Sequence, residues 1–262
     1  PTLRASSAAS DVYKRQGVFG AAGADLSVYS GVDLGFSLSG ASDTGMTFSA
    51  SVDMGGGQTL DVGDFELDTQ DMGTDDNTSV AIGVSGVTIT LSQDGVDDLY
   101  DDDIAGDIGI SGAMGDLTYS VVTGLEDADP TSISIGYSAG AISGSVATSD
   151  EGDASTVSVT YAMGDITVSV EADTDRTGAD TNTTGISYAM GDGMTVSVEE
   201  SEGVVEASVA YSSGAISVGV TADDAATESW EATMAYDLGG GATFNLGTNQ
   251  DETTFAGVGF SF

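Results

Sequence analysis

Between Thr156 and Glu171 the chain reads TVSVTYAMGDITVSVE, and side-chain character flips at every step. Val157, Val159, Tyr161 and Met163 share one face, with Thr156, Ser158, Thr160 and Ala162 on the other. After Gly164-Asp165 the chain returns with Ile166, Val168 and Val170 on the apolar side. A period of two marks a strand whose faces meet different surroundings. The Gly-Asp pair supplies the positive-φ residue that a tight hairpin turn needs. Related phrases begin at Gly112, Tyr137, Tyr161, Tyr188, Tyr211 and Tyr236, a period of about 25 residues that carries none of the leucine-rich or calcium-nonapeptide solenoid signatures. The same parity runs through Val32, Leu34, Phe36 and Leu38, then Phe48, Ala50, Val52 and Met54. Trp230, Ala232, Met234 and Tyr236 continue it, and Ala256, Val258, Phe260 and Phe262 close the chain.

About 17 such runs, of roughly 8 to 11 residues, fit the length a tilted strand needs to cross a bilayer. Very short turns alternate with longer Asp-rich loops around 55–77, 93–103, 125–130 and 174–182. This stringing predicts an all-β, antiparallel up-and-down barrel. The polar face is Ser, Thr, Gly and Ala with scattered Asp and Glu, and it lacks the Lys–Glu mixture of a water-exposed sheet. A membrane barrel turns its apolar face to lipid and its polar face to a water-filled lumen. Tyr137, Tyr161, Tyr188, Tyr211 and Tyr236 each precede a short turn in fixed register, as an interfacial aromatic girdle would. The rival is a secreted, acidic, soluble β-protein (a surface-layer or calcium-binding adhesin module) whose apolar face is buried between sheets.

Charge bounds the partners. Against 43 Asp and Glu stand four Lys and Arg, a formal charge of −39. Nucleic acid is excluded, because its binding rests on neutralising phosphates with Lys and Arg; polybasic anchoring to anionic lipid falls with it. There is no His and no Cys, so the usual base and nucleophile arrangements are missing, and the chain reads as no enzyme. The GGG runs at 55–57 and 239–241 are followed by neither Lys nor a helical pattern, and read as turns rather than phosphate loops. Three of the four basic residues, Arg4, Lys14 and Arg15, lie in PTLRASSAASDVYKRQ, residues 1–16. Its SSAASDVYKRQ portion looks like an in-frame translation of a sequencing-library adaptor. We therefore expect residues 1–16 to be non-native and residues 17–262 to be the barrel domain.

Two stretches carry a family resemblance. GVDLGFSLSGASDTGMTFSASVDMGG (Gly31–Gly56) resembles an early hairpin of the alphaproteobacterial general porins, the Rhodobacter type. YDLGGGATFNLGTNQDETTFAGVGFSF (Tyr236–Phe262) is similar to the C-terminal end of those porins. Between the two ends the likeness is one of pattern, and it extends from about Gly17 onward. The resemblance implies a homotrimer of 16-stranded barrels in the Gram-negative cell outer membrane. Such barrels pass ions and small hydrophilic solutes passively and touch outer-membrane lipid. It assigns Val258, Phe260 and Phe262 to the signal read by the barrel-assembly machinery. Gly17–Ala22 would end a first strand that is largely missing, residues 31–41 and 45–54 would form the next two, and the loop Gln93–Asp103 would fold inward as the constriction. With the first strand restored the runs number about 18, so the expected barrel has 16–18 strands. The family sets an Arg cluster opposite its acidic loop; only Arg176, in an outer loop, is available here.

The constriction set is then Asp94, Asp97, Asp98, Asp101, Asp102, Asp103 and Asp107. Crowded carboxylates at a narrow point admit cations and repel anions. Parity adds Asp33, Asp53, Glu171, Asp173, Glu199, Glu206 and Glu231 to the lumen wall. No resident cofactor is called for. Oxygen-only loops suit at most weak Ca²⁺ or Mg²⁺ binding, and DDLYDDDIAGD lacks the Gly spacing and closing Glu of an EF-hand, so no metal site is assigned.

Overall fold

The computed structural model describes residues 4–21, 23–70, 78–100, 104–126, 130–150 and 154–261, without the side chains of residues 4–12, 53 and 94. The strands are β1 (Arg4–Gly20), β2 (Ser27–Ala41), β3 (Thr47–Asp61), β4 (Glu66–Gln70), β5 (Thr78–Val84), β6 (Val87–Asp97) and β7 (Ala105–Met114). There follow β8 (Leu117–Thr123), β9 (Thr131–Ala139), β10 (Ile142–Ser149), β11 (Ser155–Met163), β12 (Ile166–Thr174) and β13 (Asp180–Gly191). The last six are β14 (Met194–Ser201), β15 (Val204–Ser213), β16 (Ile216–Asp223), β17 (Trp230–Gly239), β18 (Ala242–Asn249) and β19 (Thr254–Ser261). Among the described residues there is no helix.

Each strand pairs antiparallel with its neighbour, and β1 pairs with both β2 and β19, so the sheet closes. Eighteen strands form the wall, because β4 pairs only with the distal half of β3, while the proximal half of β3 pairs with β5. Closure leaves no unpaired edge in the wall. The strand that the sequence leaves largely missing is present: residues 4–20 form β1, and Tyr13–Gly20 fill the seam against β19.

The repeated phrase is a hairpin. Met163 pairs with Ile166, and Gly164 between them has φ 64°, which an L side chain adopts at a cost. Cross-strand pairing then lines up the phrases. Tyr161 lies beside Ile142, Tyr188 beside Ile166, Tyr211 beside Met194 and Tyr236 beside Ile216. The five tyrosines Tyr137, Tyr161, Tyr188, Tyr211 and Tyr236 therefore form one level around half the wall, all exposed on the outer face.

The faces are assigned by exposure. Val157, Val159 and Tyr161 are 43%, 51% and 45% exposed, whereas Thr156, Ser158 and Thr160 opposite them are half-buried in the concave side. A soluble sandwich would have buried the valines. Among the described residues, the buried hydrophobic cluster is only Tyr29, Leu60, Phe65 and Phe255. A belt of exposed Val, Ile, Leu and Tyr this wide is the mark of a surface meant for hydrocarbon.

Candidate functional site

The lumen is a hydroxyl surface. Neighbouring strands satisfy their inward hydroxyls across the ladder: Ser145 with Ser158 at 2.8 Å, Ser197 with Ser208 at 2.6 Å, Ser51 with Ser79 at 2.7 Å. Small residues at these positions keep the bore open, and paired hydroxyls present oxygen to water without trapping unsatisfied donors.

Two insertions meet the inner face. The first is the β3–β4 hairpin. β3 stays with β2 as far as Gly57, where φ is 84° and a Cβ would stand 2.3 Å from the Ser30 carbonyl oxygen. Past that point the chain peels into the lumen, turns at Val62–Asp64 and returns as β4. Leu60 (1% exposed) and Phe65 pack on Phe255 (0%) and Tyr29 (3%), with Phe19, Val62 and Leu67 at the margin. The Phe65 and Phe255 rings sit 5.2 Å apart at 59°. These rings fit because the wall beneath them is glycine. A Cβ at Gly257 would come 2.1 Å from the Tyr29 hydroxyl oxygen, and one at Gly247 would come 2.3 Å from the Phe255 ring. Arg15, inward on β1, donates from Nη1 to the Leu60 carbonyl. The tip is fixed by Asp61, whose Oδ1 accepts from the backbone N–H groups of Gly63 at 2.7 Å and Asp64 at 3.3 Å.

The second insertion is the β6–β7 loop at the rim. Leu99 N–H donates to Ser132 Oγ on β9 at 2.9 Å, and Tyr100 N–H to Asp98 Oδ1 at 2.9 Å. The Tyr100 hydroxyl is shared between Asp173 Oδ2 at 3.2 Å and the Thr174 carbonyl at 3.1 Å, both on β12. The Arg176 guanidinium lies 5.9 Å from the Tyr100 ring centre, within cation–π range. Burial first, and then the Asp173 charge and hydrogen bond, push the Tyr100 phenol above its usual range, with Arg176 opposing.

The carboxylates named from sequence lie as follows. Asp97 ends β6, paired with Ala105; Asp98 is buried in the rim loop; Asp107 accepts from Leu125 N–H at 2.7 Å. Asp101, Asp102 and Asp103 are outside the described residues, as is Phe262, and so are the side chains of Asp94 and Asp53. Asp33, Glu171, Asp173, Glu199, Glu206 and Glu231 occupy inward register positions. Glu199, Glu206 and Asp223 stand directly abreast on β14, β15 and β16. Val258 and Phe260 face outward on β19, beside Phe244 and Ala242. Among the described residues, no group of three His, Cys, Asp or Glu is arranged to hold a metal ion.

Parity reasoning missed the hairpin and its seat. The signal was present: Phe19, Tyr29 and Phe255 are aromatic residues on the polar face, flanked across the ladder by Gly17, Gly247 and Gly257.

No protein-family model matches the chain, and no curated protein does. Solved structures do. Two engineered variants of the Rhodopseudomonas blastica porin match at TM-score 0.61, with 14% and 15% identity, over 100% of each chain. A structure titled for asymmetric conductivity of engineered proteins matches at TM-score 0.59 and 16% identity, also over 100% of each chain. Over its whole length, the chain has the barrel fold of these porins.

Proposed function

We propose that the protein is an outer-membrane general-diffusion porin of a Gram-negative cell. It passes ions and small hydrophilic solutes down their gradients, prefers cations, and uses no cofactor and no catalytic step. One observation carries the reading: a closed wall with exposed apolar side chains outside and a hydroxyl- and carboxylate-lined lumen inside. Cation preference follows from charge. Abreast like charges such as Glu199, Glu206 and Asp223 repel one another, and a passing cation relieves that repulsion. The rim carboxylates Asp97, Asp98 and Asp107 add to the same field, with outer-membrane lipid, the barrel-assembly machinery and two further copies of the chain as partners.

Residues 1–16 are, in this reading, foreign to the natural protein. The support is parity: Lys14 takes an outward position in β1 between Val32 and Phe260, and Gln16 takes one beside Val258, on a face that is otherwise mostly apolar. The whole is tested by planar-bilayer recording in a KCl gradient. Ohmic steps of constant size, with a reversal potential set mainly by K⁺, are expected. Absence of steps from inserted protein would end the porin reading, and a chloride preference would end the acidic-field account.

A further inference from the structure

We propose that the internal hairpin Gly57–Gln70, through Val62, Asp64 and Glu66 at its tip, sets both the size limit and the charge preference of the pore. This rests on the porin reading above. The hairpin crosses the lumen from one wall to face the other. Its root is held by the aromatic seat on β1, β2 and β19, and its tip confronts the inner faces of β14–β18 across a cavity of about 450 Å³. Val62 forms the near side of that cavity; Thr195, Ser212, Ser217, Thr233 and Asn245 line the far side.

Among the described residues, no carboxylate or cation lines the cavity itself. The acidic charge on the near side of the cavity is that of the hairpin, where Asp61 and Asp64 lie on either side of Val62 and Glu66 pairs with Asp61, while the Arg15 guanidinium is held back at the Leu60 carbonyl. Asp61 is occupied in holding the turn, while Asp64 and Glu66 are exposed to the water path. A fixed acidic finger facing a neutral hydroxyl wall focuses its field across the gap and favours cations. The finger holds its position, because the rings of Tyr29, Phe65 and Phe255 are packed over glycines and cannot swing without losing that burial. The rim loop differs in kind: Leu99 and Tyr100 are tied back to β9 and β12 at the mouth.

The chain has no cysteine, so Val62→Cys places a single thiol at the tip. Single-channel recording of the full chain before and after a cationic methanethiosulfonate reagent reads the gap within one channel. Conductance should step down by about half or more, since the reagent occupies the gap beside the tip. The same reagent on Val159→Cys, outside the wall, should leave conductance as it was. In a KCl gradient, D64N combined with E66Q should lower the K⁺/Cl⁻ permeability ratio by about twofold or more. If parent channels conduct but modified Val62→Cys conducts like the parent, or if D64N/E66Q keeps the parental ratio, the hairpin is not the constriction. A parent that gives no steps removes the porin reading itself.

Discussion

Asp173 holds two neighbours at once: one oxygen accepts from the Thr156 hydroxyl within the wall, the other from the Tyr100 hydroxyl of the rim loop. The protonated phenol is the form that binds, and burial together with Asp173 raises the Tyr100 pKa. A raised pKa stabilises the rim strap fully below the usual tyrosine value of about 10, and that contribution is lost as pH climbs through the higher folded value. Tyr100→Phe should speed hydrogen exchange at the Leu99 amide about fivefold, the equivalent of one net hydrogen bond. If protection there, relative to the intrinsic rate, is unchanged in the variant and independent of pH in the parent, the strap is not held by this hydroxyl. Asp175 works in the opposite direction. The Thr177 hydroxyl, followed by the Ala179 N–H, holds its carboxyl below the ordinary aspartate range despite some desolvation. Its ordering of the β12–β13 loop is therefore present above the ordinary value and lost only as pH falls through the depressed one. A carboxyl titration of Asp175 with its midpoint at or above ordinary aspartate would contradict that.

The β3–β4 hairpin behaves as an element with its own small core inside the barrel. Phe255 is the floor of that core, fully buried though it lies on the polar parity of β19. Phe255→Ala should cost about 3–5 kcal/mol if the cavity stays open, and less if the hairpin settles. Either way, the temperature at which the folded band converts to the unfolded one in a detergent gel should fall; an unaltered conversion would mean that the hairpin is not seated there. Legibility in the sequence follows the same division. Hairpin Tyr161–Glu171 could be read because period, turn residues and partners all lie within a dozen positions. The inner hairpin could not, because its partners Tyr29 and Phe255 are far away along the chain, and GGG at 55–57 looks like any turn. Rim carboxylates were found as a cluster by composition, yet which of them reach β9 or β12 depends on Leu99 and Tyr100, which carry no charge signal.

At the scale of the whole molecule, the decisive property is which way the wall faces. Val159 pairs with Gly144 and Val170 near mid-strand, and its side chain points outward; Thr160, one residue on, pairs with Ser143 and Ser169 and points in. A one-residue step thus moves a side chain from the outer face to the inner one, so on the porin reading the same substitution at the two positions should have unlike costs. Arginine at the lipid-facing midplane of a barrel costs about 2–4 kcal/mol, while a lumen arginine keeps its hydration. Val159→Arg should lower folding stability in lipid vesicles by that amount, measured by reversible urea titration. Thr160→Arg should lose less than about 1 kcal/mol, but its charge, standing among Ser158, Ser169 and Glu171, should weaken cation preference in bilayer recordings. A wall built the other way round would exchange the two results: Thr160→Arg would unfold the barrel, and Val159→Arg would alter the current.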